Sequence, residues 1–277
     1  MRGYPAMRYK MIVLDLDGTL TNNKKEITPR TKDVLIQYQK AGGKVVLASG
    51  RPTYGVIPLA QELDLHKYGS YVLSFNGGVI TECGTNRVLY EKTLPMDIPA
   101  KVYDLSRQNE TSMLTYQDRH IITETPDDYY VQKEVFCTKM ETKKVEDLKT
   151  YVDFPVVKCM MMGKGFHLAE VEKKVKGYFG ESLSIFRSEP YFLEIMPQGI
   201  DKAESLKRLL NQLGMTTEEM AAFGDGFNDK SMLMLAGLGV AMENGQAAVK
   251  AVADYVAPSN EDEGVAYVVE KLLDGSF

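Results

Sequence analysis

Lys10-Met11-Ile12-Val13-Leu14-Asp15-Leu16-Asp17-Gly18-Thr19-Leu20 is an apolar run that stops at two carboxylates, a glycine and a threonine. Met11, Ile12, Val13 and Leu14 form a short continuous apolar segment, which predicts a strand buried on both faces of a parallel sheet. Such strands present ligands at their carboxyl ends. Asp15 and Asp17 stand two residues apart where the run ends, so on extended backbone both carboxyl groups point the same way. The pair suits a metal, a nucleophile or an acid/base couple, and equally a strand running into an Asp-Gly turn.

Working outward, the pattern recurs. Thr28-Pro29 supplies an N-cap and a first-turn proline, and Val34, Leu35, Tyr38 and Ala41 follow at helical spacing as far as Gly42-Gly43. A second β-branched run over 44–48 ends in Ser49-Gly50-Arg51-Pro52, and a helical pattern continues through Val56, Leu59, Ala60 and Leu63. A third run over 71–75 ends at Asn76-Gly77-Gly78. Strand, helix, strand, helix predicts a parallel sheet, with its polar, glycine-containing loops along one edge.

After Gly78 the alternation breaks. A hairpin over 79–82 and 87–90, a helix over 97–108 and strands over 112–116, 120–123, 156–162, 182–187 and 191–196 are expected. Helical patterns lie near 145–151 and 165–179, and Met160-Met161-Met162 reads as strand core filler. This mixture suggests an α+β insertion. Alternation resumes at Asp201-Lys202, where a helix carries Leu206, Leu209, Leu210 and Leu213. A strand over 220–223 ends at Gly224-Asp225-Gly226-Phe227-Asn228-Asp229, and a helix through Met232, Leu233 and Leu235 follows. Strands over 238–241 and 254–256 flank a helix over 246–252, and a helix over 261–272 closes the chain. Residues 1–83 and 195–277 thus form one α/β domain, into which 84–194 is inserted.

A chain of 277 residues, 44% of them hydrophobic and 26% charged, can bury a full core. Its formal net charge of -5 argues against a nucleic-acid surface or an anionic-membrane partner, while leaving room for a local phosphate site. Cys83, Cys137 and Cys159 are odd in number and lack metal or redox spacing, so they read as buried thiols in a reducing compartment. The four-residue apolar run behind Arg2, Arg8 and Lys10 is too short for a signal-peptide core or a membrane span. A cytoplasmic protein, monomeric or a small homo-oligomer, is expected. Residues 1–6 read as a dispensable tail, with Met7 as an alternative start.

Four polar clusters therefore fall at strand ends or a helix start of one inferred sheet: Asp15/Asp17, Ser49, Lys202 and Asp225/Asn228/Asp229. Each has a bland account singly, but the co-occurrence in this order is specific. Asp15-Leu-Asp-Gly-Thr-Leu20, Ser49-Gly-Arg51, Lys202 and Gly224-Asp-Gly-Phe-Asn-Asp229 resemble motifs one to four of the haloacid dehalogenase (HAD) superfamily. The long insert, Asn76-Gly77 and Glu189-Pro-Tyr-Phe-Leu-Glu-Ile195 make the chain similar to the Cof-type branch, with its type IIB cap. That resemblance spans nearly the whole chain. It implies a Rossmann-like parallel-sheet core with an α+β cap, and a magnesium-dependent phosphatase, many relatives acting on sugar phosphates.

The resemblance also implies roles. Asp15 would be the nucleophile, Asp17 the acid and base, and Lys202 the cation that, with Mg²⁺, offsets the charge of a phosphomonoester dianion. The Asp15 carboxylate, the Asp17 carbonyl and Asp225 would hold Mg²⁺, with Asp229 completing the metal set. The Ser49 hydroxyl and the Gly18 and Gly50 amides would bind the transferring oxygens, while Asn76, Gly77 and Asn228 would contact phosphate or substrate. Arg51 would either bind substrate or brace its loop. The inserted domain would choose the leaving group, with Arg119, His120, Lys139, Lys158, Arg187, Glu189 and Tyr191 as candidates. The expected partner is a small phosphorylated metabolite, foremost a sugar phosphate. A hexose-phosphate mutase would share much of this site, and a non-catalytic phosphometabolite sensor would be marked by a missing nucleophile or acid.

Overall fold

The four side chains of β1 (Met11–Leu14) are all buried, as a central strand requires. The structure, a computed structural model, describes residues 7–277, so the expected tail at 1–6 lies outside the described residues. From β1 the chain runs through α1 (Pro29–Lys40), β2 (Lys44–Ala48), α2 (Thr53–Glu62), β3 (Tyr71–Ser74), β4 (Val79–Glu82) and β5 (Arg87–Glu91). The excursion comprises α3 (Ile98–Gln108), β6 (Ser112–Gln117), β7 (His120–Thr123), α4 (Tyr129–Thr138), β8 (Glu141–Lys144), α5 (Leu148–Tyr151), β9 (Cys159–Met162), α6 (Gly165–Phe179), β10 (Leu183–Glu189) and β11 (Phe192–Pro197). The chain then returns through α7 (Lys202–Leu213), β12 (Met220–Gly224), α8 (Lys230–Leu235), β13 (Leu238–Met242), α9 (Ala247–Lys250), β14 (Tyr255–Ala257) and α10 (Gly264–Asp274).

Two compact units result. The first joins the described residues up to Tyr90 with Asp201–Phe277, and the second is Glu91–Ile200. The expected limits at 84 and 194 fall in the β4–β5 turn and inside β11. The division lies further on because β5 still extends the first sheet and β11 belongs wholly to the second.

The first sheet has the order β14-β13-β12-β1-β2-β3-β4-β5. Pairing is parallel from β14 to β3 and antiparallel between β3 and β4. Strand alternation divides its core between two faces. Ile12, Leu14, Val45, Leu47 and Phe223 pack with residues of α1, α2 and α10, whereas Met11, Val13, Val46, Ala48 and Ala222 pack with residues of α7, α8 and α9. Helices on both faces of a largely parallel sheet are the Rossmann-like architecture expected.

The second unit holds a six-stranded sheet of order β10-β11-β9-β6-β7-β8. Residues of α3, α5 and α6 pack on one face against Met113, Ile122, Met161, Leu193 and Ile195. The three methionines of β9 are buried. The expected strand over 156–162 begins only at Cys159, and the helix near 145–151 is shortened to Leu148–Tyr151. Of the cysteines only Cys159 is buried; Cys83 and Cys137 are partly exposed, which corrects the expectation for those two. Among the described residues, no helix is long and apolar enough to cross a membrane.

Candidate active site

The first unit gathers the loops after β1, β2, β3 and β12 with the first turn of α7. Beyond β1, the Asp15 amide donates to Phe223 O at 3.0 Å, which keeps the backbone in register with β12. The turn that follows needs Gly18: its φ is +91°, and a Cβ there would lie 2.5 Å from Asp225 Oδ2. Thr19 Oγ1 donates to Asp225 Oδ1 at 2.8 Å, tying the first loop to the fourth.

Lys202 is the first residue of α7. Its predecessor Asp201 caps the helix, accepting from the amides of Ala203 and Glu204. The Lys202 ammonium is fully buried and donates at 2.6 Å to both Asp15 Oδ1 and Asp229 Oδ1. Asp229 Oδ2 accepts from the amides of Asp225 and Gly226, so both Asp229 oxygens are engaged. Burial opposes the charge on Lys202, but Asp15 and Asp229 outweigh it and raise its pKa.

Asp15, Asp225 and Asp229 each offer an oxygen within 4.8 Å of the others. Burial raises the pKa of Asp15 well above the carboxylate range, and the Asp229 charge adds to it. Burial likewise raises Asp225 to about 6, despite the opposing Thr19 hydrogen bond. Carboxylates crowded and desolvated in this way are what a hard divalent cation would stabilise, so the donor set fits Mg²⁺. The Asp17 side chain is not part of this cluster.

Asp17 is held elsewhere. Arg51 Nε donates to Asp17 Oδ2 at 2.8 Å and Arg51 Nη2 to Oδ1 at 2.6 Å, a two-point fork. Lys25 Nζ lies 2.7 Å from Oδ1. Burial alone would raise the Asp17 pKa, but these two cations outweigh it and hold it at about 2. Arg51 therefore braces an acid, and its Nη1 also donates to Gly55 O of α2 at 3.5 Å.

The β2 and β3 loops are knitted together. The amides of Phe75 and Asn76 donate to the carbonyls of Arg51 and Ser49, and the Arg51 amide donates to Ser49 Oγ at 3.1 Å. A Cβ on Gly50 would lie 3.2 Å from Asn76 Nδ2. Asn228 Nδ2 donates to Asn76 Oδ1 at 3.0 Å, bringing the two expected amide contacts together. Gly77 is committed to packing: its carbonyl accepts from Ser205 Oγ of α7, and a Cβ would lie 2.5 Å from that oxygen.

Sequence reasoning missed Thr19, Lys25, Asn244 and Asn260. Asn244 Nδ2 donates to Gly18 O, and its Oδ1 accepts from the Asn260 amide. Asn260 Nδ2 donates to Thr21 O. Asn244 stands just past β13, where the rule of ligands at strand ends could have found it. In the second unit, Arg187 is engaged by Glu172 at 2.8 Å and Tyr191 stacks on Tyr130.

A doubly wound sheet whose strand ends carry acids, an ammonium and a hydroxyl defines a phosphoryl-transfer or hydrolase class of site. A profile of the haloacid dehalogenase-like hydrolases matches residues 12–269. Phosphatase YwpJ of Bacillus subtilis is 29% identical over 291 residues, covering 95% of this chain and 100% of that protein. The crystal structure of a haloacid dehalogenase-like hydrolase from Bacteroides thetaiotaomicron aligns with a TM-score of 0.93 at 48% identity, covering 95% of this chain and 99% of that one. The HAD subclass IIB sugar phosphatase BT4131 aligns with a TM-score of 0.77 at 23% identity, over 94% and 98% of the two chains, a likeness of fold. The chain belongs to the haloacid dehalogenase-like hydrolases. Within them it is a HAD-type phosphatase.

Proposed function

We infer that the protein is a Mg²⁺-dependent phosphomonoester hydrolase that works through an aspartyl-phosphate on Asp15 and acts on a small phosphorylated metabolite, foremost a sugar phosphate. The Lys202 ammonium, placed at 2.6 Å from Asp15 Oδ1, carries this reading. A carboxylate attacking a phosphate dianion must be screened by fixed positive charge, and here that charge touches the attacking group. Asp15, Asp225 and the Asp17 carbonyl, with Asp229 beside them, would hold Mg²⁺, which would supply further charge neutralisation when bound.

Ser49 Oγ, with the amides of Gly18 and Gly50, binds the transferring oxygens, while Asn76 and Asn228 orient the substrate. Gly77 serves by fixing that loop against α7. The phosphate dianion would offset the Arg51 and Lys25 charges that keep Asp17 ionised in the free protein, so that Asp17 gives a proton to the departing oxygen and, as a carboxylate, takes one from the water that hydrolyses the aspartyl-phosphate. The Glu91–Ile200 unit selects the leaving group. The sugar-phosphate assignment draws support from the branch resemblance and from BT4131, named as a sugar phosphatase.

The test is a screen of phosphate release from sugar phosphates, nucleotides, flavin mononucleotide and pyridoxal phosphate with Mg²⁺, on the native protein and Asp15→Asn. The native protein is expected to release phosphate from at least one sugar phosphate, and the variant to lose at least about 10³-fold in kcat while keeping its fold. Turnover by Asp15→Asn at the native rate would refute the nucleophile assignment. A preference for nucleotides would refute the substrate class.

A further inference from the structure

The Glu91–Ile200 unit buries an acid that the chemistry at Asp15 does not use. On β11, Leu193 and Ile195 join the apolar cluster formed with α3, α5 and α6, so Glu194 between them points to the opposite face of the sheet. It is 4% exposed there. Lys158 Nζ lies 3.4 Å from Glu194 Oε1, and among the described residues Glu194 Oε2 has no hydrogen-bond partner. The register Glu194–Met160–Leu114 places Tyr116, two residues past Leu114 on β6, on the same face. Tyr116 Oη donates to Glu134 Oε1 of α4 at 2.8 Å, and Lys158 Nζ stands 5.3 Å from the centre of the Tyr116 ring.

A buried carboxylate oxygen without a donor forfeits the hydrogen bonds that water would give it, which costs more than an ordinary hydrogen bond gains. Asp229 shows how an acid with a structural role is treated in this protein: both of its oxygens are engaged. The surroundings of Glu194 decide which donor suits it. A cation would be repelled by the Lys158 ammonium at Oε1, and the acidic cluster suited to a metal among the described residues lies in the other unit. A phosphate would be repelled by Glu134 and Glu194. A neutral hydroxyl meets neither objection. It can donate to Oε2, while a hydroxyl beside it accepts from one of the three donors of Lys158. Because Glu134 faces inward, α4 meets the sheet here through a polar contact, which a hydroxylated ligand can exchange for its own.

We propose that Glu194 and Lys158 form the subsite by which the Glu91–Ile200 unit binds adjacent hydroxyl groups of the leaving group, Glu194 Oε2 accepting from one and the Lys158 ammonium donating to its neighbour. The inference rests on the reading of that unit as the selector of the leaving group and of the substrate as a sugar phosphate. It narrows the substrate class to phosphomonoesters whose leaving alcohol carries two further hydroxyls side by side. The pair recognises and takes no part in bond making at phosphorus, so an ester without such hydroxyls gains nothing from it.

The test measures phosphate release with Mg²⁺ from ribose 5-phosphate, glucose 6-phosphate, fructose 6-phosphate and mannose 6-phosphate, beside p-nitrophenyl phosphate, whose leaving group has no further hydroxyl. Glu194→Gln keeps the shape and removes the charge. It is expected to lose at least about 10-fold in kcat/KM on the sugar phosphates that the native protein hydrolyses, chiefly through KM, and less than about twofold on p-nitrophenyl phosphate. Equal losses on both kinds of substrate, or no loss on the sugar phosphates, would overturn the inference. A second measurement leaves the pair intact: in Asp15→Asn with Mg²⁺, the same sugar phosphates should slow amide exchange on β9 and β11, and p-nitrophenyl phosphate should not. Absence of that protection would equally count against the subsite. The two levels of the argument separate cleanly. A native protein that hydrolyses p-nitrophenyl phosphate and none of the sugar phosphates removes the substrate reading and the subsite with it; one that hydrolyses sugar phosphates while Glu194→Gln shows no split removes the subsite alone.

Discussion

At Lys202 one ammonium serves two carboxylates, and none of the three side chains is more than 8% exposed. A buried ion pair is weak evidence of net stabilisation, because desolvation consumes most of the Coulombic gain. Removing one partner is another matter, since Asp15 and Asp229 would then face each other without a counter-ion. Lys202→Met is therefore expected to cost about 3–5 kcal/mol, read as a fall in the urea midpoint at constant slope. Lys202→Arg should recover little of it, because a planar fork cannot place one point charge between the two oxygens that the lysine bridges. A Lys202→Met protein as stable as the native one would show that the carboxylates are compensated elsewhere.

At the scale of the element, the position of that ammonium is set by how α7 begins. Asp201 Oδ1 accepts from the amides of Ala203 and Glu204 at 2.8 and 3.2 Å, and Oδ2 accepts from Ser231 Oγ of α8 at 2.7 Å. Asp201→Ala removes the cap and is expected to cost about 1 kcal/mol, with a fall in kcat as the first turn frays beneath Lys202; Asp201→Asn, which keeps an accepting oxygen, should restore most of both. Activity unchanged in Asp201→Ala would detach the cap from the placement of Lys202. The start of α7 was legible in the sequence, as were β1, β2 and the strand ends, because apolar runs and turn residues are local signals. What escaped was of another kind. On α4 the buried residues are Val131, Glu134 and Thr138, so its periodicity is carried largely by polar side chains, and Tyr116 Oη donates to the buried Glu134. β8 is Glu141-Thr142-Lys143-Lys144, an edge strand whose charges guard it against further pairing and erase any apolar alternation. Lys25 escaped for a third reason: its partner lies eight positions back on a different turn, and loop geometry, not spacing, brings them together.

For the whole molecule, the decisive fact is that Asp15, Asp17, Lys202, Asp225 and Asp229 all belong to the unit formed by residues up to Tyr90 and Asp201–Phe277. The Glu91–Ile200 unit has its own sheet and its own apolar cluster, so a single melting temperature need not describe the chain. A ligand stabilises the cooperative unit that binds it, by about 2.7 kcal/mol at a hundredfold excess over Kd. Mg²⁺ added after EDTA treatment is expected to raise the unfolding transition of the α/β unit by several degrees, leaving a separately resolved α+β transition in place and restoring phosphatase activity in parallel. Asp225→Asn should abolish the thermal shift, because it removes one of the three clustered carboxylates. Hydrogen exchange can assign the transitions: protection gained with Mg²⁺ should fall on the amides of β1, β12 and α7 and not on those of β6 or β9. Equal gains in both units would mean that they unfold as one. A full thermal shift retained by Asp225→Asn would place the cation away from the acidic cluster, and the charge balance proposed around Asp15 would have to be drawn again without it.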